Sequence, residues 1–301
     1  MNAKEAVLRA REKGIVIPAF NIPHVPMMEA VVRAVADENS VAMIQVARVE
    51  WEKFNAGSIE SIAEEYWKCY DSDHTLLHLD HVPVIDEDNE RVDYTALIGR
   101  ALKSGYQSVM VDGSRLPLDE NIKTSAEVAG MAHDAGVPCE AELGAVLGHE
   151  SGPLPPYEEI FASKKGFTSL SEAERFVKES GVDWLSVAAG NIHGAIAEAT
   201  RNEKKPEARL DIEHIKALYE ATKVPLVLHG GSGIKVEFIR ESVVAGIAKI
   251  NIGTEIRQAY EVAFAESGGD VEAARQNVYD KVREILSVSL LLTDSRELLN
   301  G

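Results

Sequence analysis

The segment TLLHLDHVP, residues 75–83, runs apolar until it reaches Asp80 and His81 side by side. A buried run can end in charge for two reasons. A proton-exchanging carboxylate can stand beside a metal-ligating imidazole, or an Asp can cap a helix beside a solvent-facing His. On a regular strand His78 and Asp80 share one face and Leu79 and His81 the other, so Asp80 and His81 converge only where the strand ends and the backbone turns. The other apolar runs end in the same way, giving Asn21, Gln45, Asp112, Glu142, the loop residue His193, His229 and Asn251. Singly, each is a cap or turn residue, Asp112 before Gly113 above all. Together they describe one polar rim.

Within that rim His81, His193 and His229 are too far apart for a local zinc motif, so only the fold can unite them. Three protein ligands with an open fourth position are the donor set of a catalytic zinc. His24, His74, His78, His133, His149 and His214 are less well placed and are expected to be ordinary histidines. HGGSGI, residues 229–234, leads into a helical pattern at 236–245, and KINIGTE places Gly253 and Thr254 at the start of another. Small residues at helix N-termini let backbone N–H groups converge on an anion such as phosphate. The alternative is a pair of glycine turns that serve packing alone.

The elements that must position these groups alternate along the chain. IVIPAFN (15–21), VAMIQVA (41–47), HTLLHLDH (74–81), SVMVDGS (108–114), CEAELGAV (139–146), WLSVAAGN (184–191), PLVLHGG (225–231) and AKINIGTE (248–255) each precede a helical pattern, with a long insertion following CEAELGAV. Eight apolar runs separated by amphipathic helices predict a parallel sheet closed into a (β/α)8 TIM barrel, with a doubly wound open sheet as the alternative. One β/α-barrel domain over residues 1–301 is expected, with a C-terminal helical extension at about 270–300. The C-terminal ends of barrel strands form the face on which active sites of this fold are built, which is where the polar rim falls.

Composition narrows the partners. Thirty-one Lys and Arg against 49 Asp and Glu give a formal net charge of -18, which opposes nucleic acid and anionic membranes. No window approaches the roughly 18 apolar residues of a membrane span, and MNAKEAVLRAREKG reads as an amphipathic helix without a signal core. Cys69 and Cys139 suit two free thiols in a reducing compartment, so a cytoplasmic location is expected.

In order and spacing, AFNI (19–22), HLDH (78–81), SVMVDGS (108–114), EAELG (140–144), the HG at 193–194, LHGGSG (228–233) and KINIGTE (249–255) resemble the class II, zinc-dependent fructose-bisphosphate and tagatose-bisphosphate aldolases. The resemblance implies a β/α barrel that assembles as a homodimer or homotetramer and cleaves a phosphorylated ketose to dihydroxyacetone phosphate and an aldehyde. It implies Zn2+ on His81, His193 and His229, with Glu142 as an alternative ligand and Asp112 as a second-metal or supporting carboxylate. Asp80 matches the acid/base on the C4 hydroxyl, and Glu150, in the loop after EAELG, matches the mobile glutamate that moves the C3 proton. Asn251 matches the residue that contacts the enediolate. Gly194, Gly230, Gly231, Ser232, Gly253 and Thr254 match the region that binds phosphate and a monovalent cation, Na+ or K+, while Asn21 and Gln45 match supporting and sugar-contacting positions. A general base supplies about 3 to 5 kcal/mol, which is insufficient alone. A divalent ion stabilises the enediolate without a Schiff-base lysine. Lys249, the nearest candidate for such a lysine, is expected to pack or pair at the far end of the barrel.

Several positions depart from the family pattern. Val82 follows His81 where glycine is usual, Ala47 stands where serine is common with Arg48 after it, and Leu147 replaces a loop glycine. Gly253 occupies the position of an aspartate in fructose-type enzymes and an alanine in tagatose-type ones. A different sugar phosphate, or a metal- and sugar-phosphate-binding barrel impaired in turnover, is the alternative function. Arg48, Arg115 and Lys235 are candidates for a second anionic group, weighed against ordinary surface charge.

Overall fold

The computed structural model describes residues 1–54, 56–146, 156–192 and 208–300. Eight parallel strands close a barrel in sequence order, β1 (Ile17–Asn21), β2 (Ala42–Ala47), β3 (Thr75–Pro83), β4 (Ser108–Asp112), β5 (Cys139–Leu143), β6 (Trp184–Val187), β7 (Leu226–Leu228) and β8 (Ile247–Ile252), with β8 pairing back onto β1. Closure rules out the open sheet. No helix among the described residues is long and apolar enough to cross a membrane.

The chain begins with α1 (Ala3–Lys13), whose N-terminus is fixed by reciprocal Asn2 and Glu5 hydrogen bonds of 2.9 and 3.3 Å. It buries Ala3, Ala6, Val7 and Ala10 against Ile17, Met43, Leu76, Trp184 and Val227, closing the apolar end of the barrel. Around the barrel run α2 (Met28–Asp37), a short α3 (Arg48–Lys53) that the sequence pattern did not predict, α4 (Ile59–Cys69), α5 (Tyr94–Lys103), α6 (Leu118–Asp134), α7 (Tyr157–Ser163), α8 (Leu170–Ser180), α9 (Ile212–Thr222), α10 (Val236–Ala245) and α11 (Thr254–Glu266). The expected C-terminal extension is α12 (Val271–Glu284), a π-helical turn over Ile285–Ser289, and α13 (Ser295–Asn300).

Alternation along the strands sorts the two faces. Phe20, Ile44, Val46, Leu77, Leu79, Val109, Val111 and Ala141 face outward into the apolar layer shared with the helices. The inward-facing positions are apolar at the α1 end and polar toward the strand C-termini, where Gln45, His78, Asp80, Ser108, Glu140, Glu142, Ser186, Lys249 and Asn251 are all buried. Polar groups buried at this density must satisfy one another.

Candidate active site

β3 does not end at Asp80. It continues to Pro83, and its register with β4 shifts between Leu79 and Val82. His81 sits at the break with φ +27°, a left-handed conformation that costs a non-glycine residue energy and marks positions held for a purpose. The bulge removes the alternation expected of a regular strand, so Asp80 and His81 both line the same cavity. Val82 re-enters the sheet opposite Val111, so no glycine is needed after His81.

Asp80 is held by amides from three strands. Asn21 Nδ2 and Gln45 Nε2 donate to Oδ2 at 2.9 and 3.1 Å, and Asn251 Nδ2 donates to Oδ1 at 2.9 Å. Burial pushes its carboxyl up, but the charges of His81, His229 and Lys249 outweigh that and hold it below its ordinary value, in the form that accepts a proton.

The rings of His81 and His229 lie edge to face, 4.4 Å between centroids. His81 Nδ1 is 3.2 Å from Asp112 Oδ2, and Asp112 Oδ1 accepts from Ser114 N and Oγ at 3.0 and 2.6 Å. His229 Nε2 is 2.8 Å from Glu140 Oε1, and its Nδ1 lies 3.2 Å from Glu142 Oε2, which also accepts from Ser186 Oγ at 3.2 Å. A carboxylate only accepts, so the Asp112 contact places a proton on His81 Nδ1, while His229 meets a carboxylate at each nitrogen, more closely at Nε2. To ligate an ion, either ring must be neutral and leave the nitrogen opposite its Asp112 or Glu140 contact unprotonated. Burial pushes His81 down, yet Asp80 and Asp112 raise it well above the usual imidazole range. His229, pushed down by burial and by His81, is raised by Glu140 and Glu142.

Four carboxylates around two imidazoles make a cluster that attracts a cation. Potential ligand atoms of Asp80, His81 and His229 lie within 4.8 Å of one another, as do those of His81, Asp112 and Glu142. The nitrogen and oxygen donors fit a divalent ion of the zinc type. His193, Gly194 and Glu150 lie outside the described residues, as does Leu147.

Asp80, His81, Asp112 and Glu142 of the cluster line a cavity of about 650 Å³ whose wall includes Asn21, Ser232, Asn251, Gly253 and Thr254, while His229 and Glu140 are wholly buried. Gly230 lines it too, but Gly231 does not: its N–H donates to Asn251 O at 3.1 Å, and an added Cβ would lie 2.6 Å from Ile250. Gly231 therefore serves the approach of the β7 loop to β8. Gln45 is fully buried behind Asp80 and Asn21, bonding Asn21 Oδ1 at 2.8 Å. Arg48 and Arg115 also line the cavity, Arg48 half-buried and paired with Asp86 at 3.3 Å, Arg115 exposed and donating to Asp86 O at 2.7 Å.

Sequence reasoning passed over three residues of the interior and one of the wall. His78, expected to be ordinary, is wholly buried, with Nδ1 2.8 Å from Ser108 Oγ and Nε2 3.6 Å from Glu140. Burial and the Lys249 charge push it down to about 3. Lys249 is not at the far end of the barrel: Nζ lies 3.0 Å from Glu140 Oε2 and donates to Asn251 Oδ1 at 2.7 Å. Glu140 itself was read only as part of a motif. Glu50, on the unpredicted α3, lines the cavity and accepts from Ala47 N at 2.7 Å and Asn21 Nδ2 at 3.4 Å.

Comparison with known proteins agrees with this arrangement. The family described as Fructose-bisphosphate aldolase class-II matches residues 1–291. A fructose-bisphosphate aldolase of Helicobacter pylori is 31% identical over 282 residues, covering 86% of this chain and 85% of that one. A probable fructose-bisphosphate aldolase of Bacillus subtilis is 29% identical, covering 92% and 87%. Among solved structures, the YdjI aldolase of Escherichia coli K12 superposes with a TM-score of 0.74 at 27% identity, covering 98% of each chain. A putative fructose-1,6-biphosphate aldolase of Coccidioides immitis superposes with 0.78 at 25%, also covering 98% of each. A family match over nearly the whole length, on a barrel whose strand ends carry the expected polar rim, shows that the chain belongs to the class II fructose-bisphosphate aldolases, a family of lyases.

Proposed function

We propose that this chain is a zinc-dependent aldolase that reversibly cleaves a phosphorylated ketose, of the fructose- or tagatose-bisphosphate kind, to dihydroxyacetone phosphate and an aldehyde. The observation that carries the reading is Asp80, an ionised carboxylate gripped by three amides and adjacent to the His81–His229 pair. A group so held can take the C4 hydroxyl proton without reorganising, which is the condition for efficient general-base work.

His81 and His229, with Glu142 or the His193 outside the described residues, would hold the divalent ion, and Asp112 and Glu140 would orient the two rings. When bound, the ion supplies Lewis-acid stabilisation of the negative charge that develops on the ketose oxygens as C3–C4 breaks. Asn251 Nδ2 and Asn21 Nδ2 keep Asp80 aimed while it holds the proton. Gly230, Ser232, Gly253 and Thr254 would receive the phosphate at the start of α11, with a monovalent cation beside it, since backbone donors and a helix dipole offset an acidic chain. Glu150 would exchange the C3 proton. A cytoplasmic homodimer or homotetramer, folded as one barrel domain over residues 1–301, completes the reading.

The test is dihydroxyacetone phosphate release from a panel of phosphorylated ketoses, before and after a chelator and after zinc is restored. Release that stops with chelation and returns with zinc is expected. No release from any ketose by the zinc-loaded protein would refute the reading in favour of a binding barrel.

A further inference from the structure

We propose that Lys249 is a positioning residue whose ammonium group sets the orientation of both the acid/base Asp80 and the histidine His229. The inference rests on the aldolase reading above and deepens it.

Lys249 is wholly buried in the barrel lumen, one inward-facing position below Asn251 on β8. Its ammonium donates and cannot accept, which gives the network a direction. By donating to Asn251 Oδ1 at 2.7 Å, it fixes which end of that amide is oxygen. The NH2 end is then the one that meets Asp80 Oδ1 at 2.9 Å. A rotated amide would set two acceptors, Oδ1 and the Asp80 carboxylate, against each other and leave an NH2 facing an ammonium.

On the other side Lys249 stands 3.0 Å from Glu140 Oε2, and the second oxygen of the same carboxylate is 2.8 Å from His229 Nε2. Glu140 stands between two donors, one on each carboxylate oxygen. The carboxylate is thus an acceptor for His229, whose Nδ1 is left facing Glu142 at 3.2 Å. One donor-only group between two relays sets the polarity of both.

A buried ion pair is a poor source of net stability, since apolar groups of equal volume often do as well. The charge is therefore better explained by the orientation it imposes. The competing account is that Lys249 merely neutralises Glu140.

The charge-balanced double variant Lys249→Met/Glu140→Gln, compared with Glu140→Gln alone, separates the two accounts. At saturating zinc, positioning predicts a kcat for dihydroxyacetone phosphate release about ten- to hundredfold lower in the double variant, because Asn251 loses its orientation while the substrate contacts persist. KM should stay within about threefold. Equal kcat in the two proteins would overturn the proposal in favour of simple neutralisation. In Lys249→Met alone, zinc affinity measured by competition with a chromophoric chelator should fall about tenfold or more. Affinity equal to that of the unaltered protein would remove the His229 arm. An unaltered protein that binds zinc but releases no dihydroxyacetone phosphate would refute the aldolase reading, and the role of Lys249 with it.

Discussion

Asn251 on β8 donates its amide to Asp80 on β3 at 2.9 Å across 171 residues of chain, with β1 and β2 between the two strands in the sheet. Each of those intervening strands adds one more amide to the same carboxylate, Asn21 and Gln45. The result is a carboxylate, proposed above as the base, whose orientation is set by four consecutive strands of a closed barrel. Among the described residues, the amides that hold it all stand on strands.

Removing that base should separate chemistry from binding. Asp80→Ala is expected to keep zinc, because both imidazoles and their carboxylate partners remain. Cleavage should fall by about a hundredfold to ten-thousandfold, the usual contribution of a general base. Turnover at the original rate, with zinc content unchanged, would take Asp80 out of the mechanism.

His229→Ala should do the reverse. Its Nδ1 faces Glu142 and its ring abuts His81, so the variant loses a donor from the centre of the cluster. Tight zinc binding and cleavage should vanish together. A fully active, metal-free His229→Ala protein would refute the metal assignment.

The barrel was legible because its signal is periodic: apolar runs of strand length, eight times over, with amphipathic helices between them. The rim was legible because a polar residue ending an apolar run stands out. The layer beneath was harder to see. His78 and Asp80, Glu140 and Glu142, Lys249 and Asn251 are i, i+2 pairs on three strands, so each of these three rim residues has a polar companion on the same inward face. That alternation was available to pattern reading, but which companions meet depends on stagger between strands distant in sequence. The bulge at His81 was likewise hidden, since Val82 and Pro83 continue the strand composition through it. Glu50 lay in a stretch, RVEWEK, with nothing in its composition to distinguish a cavity wall from a surface helix.

Gly253 bears on which substrate fits. Its φ of -122° is open to any residue, so the backbone does not require glycine there. A Cβ would lie 3.2 Å from Asn21 Cβ and 3.3 Å from its Oδ1, so an added methyl must push against a residue that holds Asp80. Gly253→Ala should therefore fold normally and lose about two- to tenfold in kcat, with the order of preference among ketoses altered. An unchanged kcat and unchanged ranking across the panel would mean that Asn21 yields freely and that Gly253 does not tune the site.

Glu50 gives a prediction in stability. Burial is the main cause that pushes its carboxyl up to about 8 from an ordinary 4.5, with the Asp80 charge adding to it and the Ala47 and Asn21 hydrogen bonds opposing it. Between those two values the folded protein keeps a proton that the unfolded chain has lost, so unfolding releases it and stability falls as pH rises. Below the lower value both states are protonated and the effect is absent; above the upper one both are ionised and the folded state carries the full penalty. The slope in between is at most about 1.4 kcal/mol per pH unit. Glu50→Gln keeps the size of the side chain and cannot titrate. Urea unfolding of both proteins at pH 5, 6.5 and 8, values chosen to span roughly that window, should show the variant gaining on the unaltered protein as pH rises, by on the order of 3 kcal/mol over the range. Parallel stability curves would mean that Glu50 is ionised in the folded state throughout, its charge accommodated by the cavity it lines.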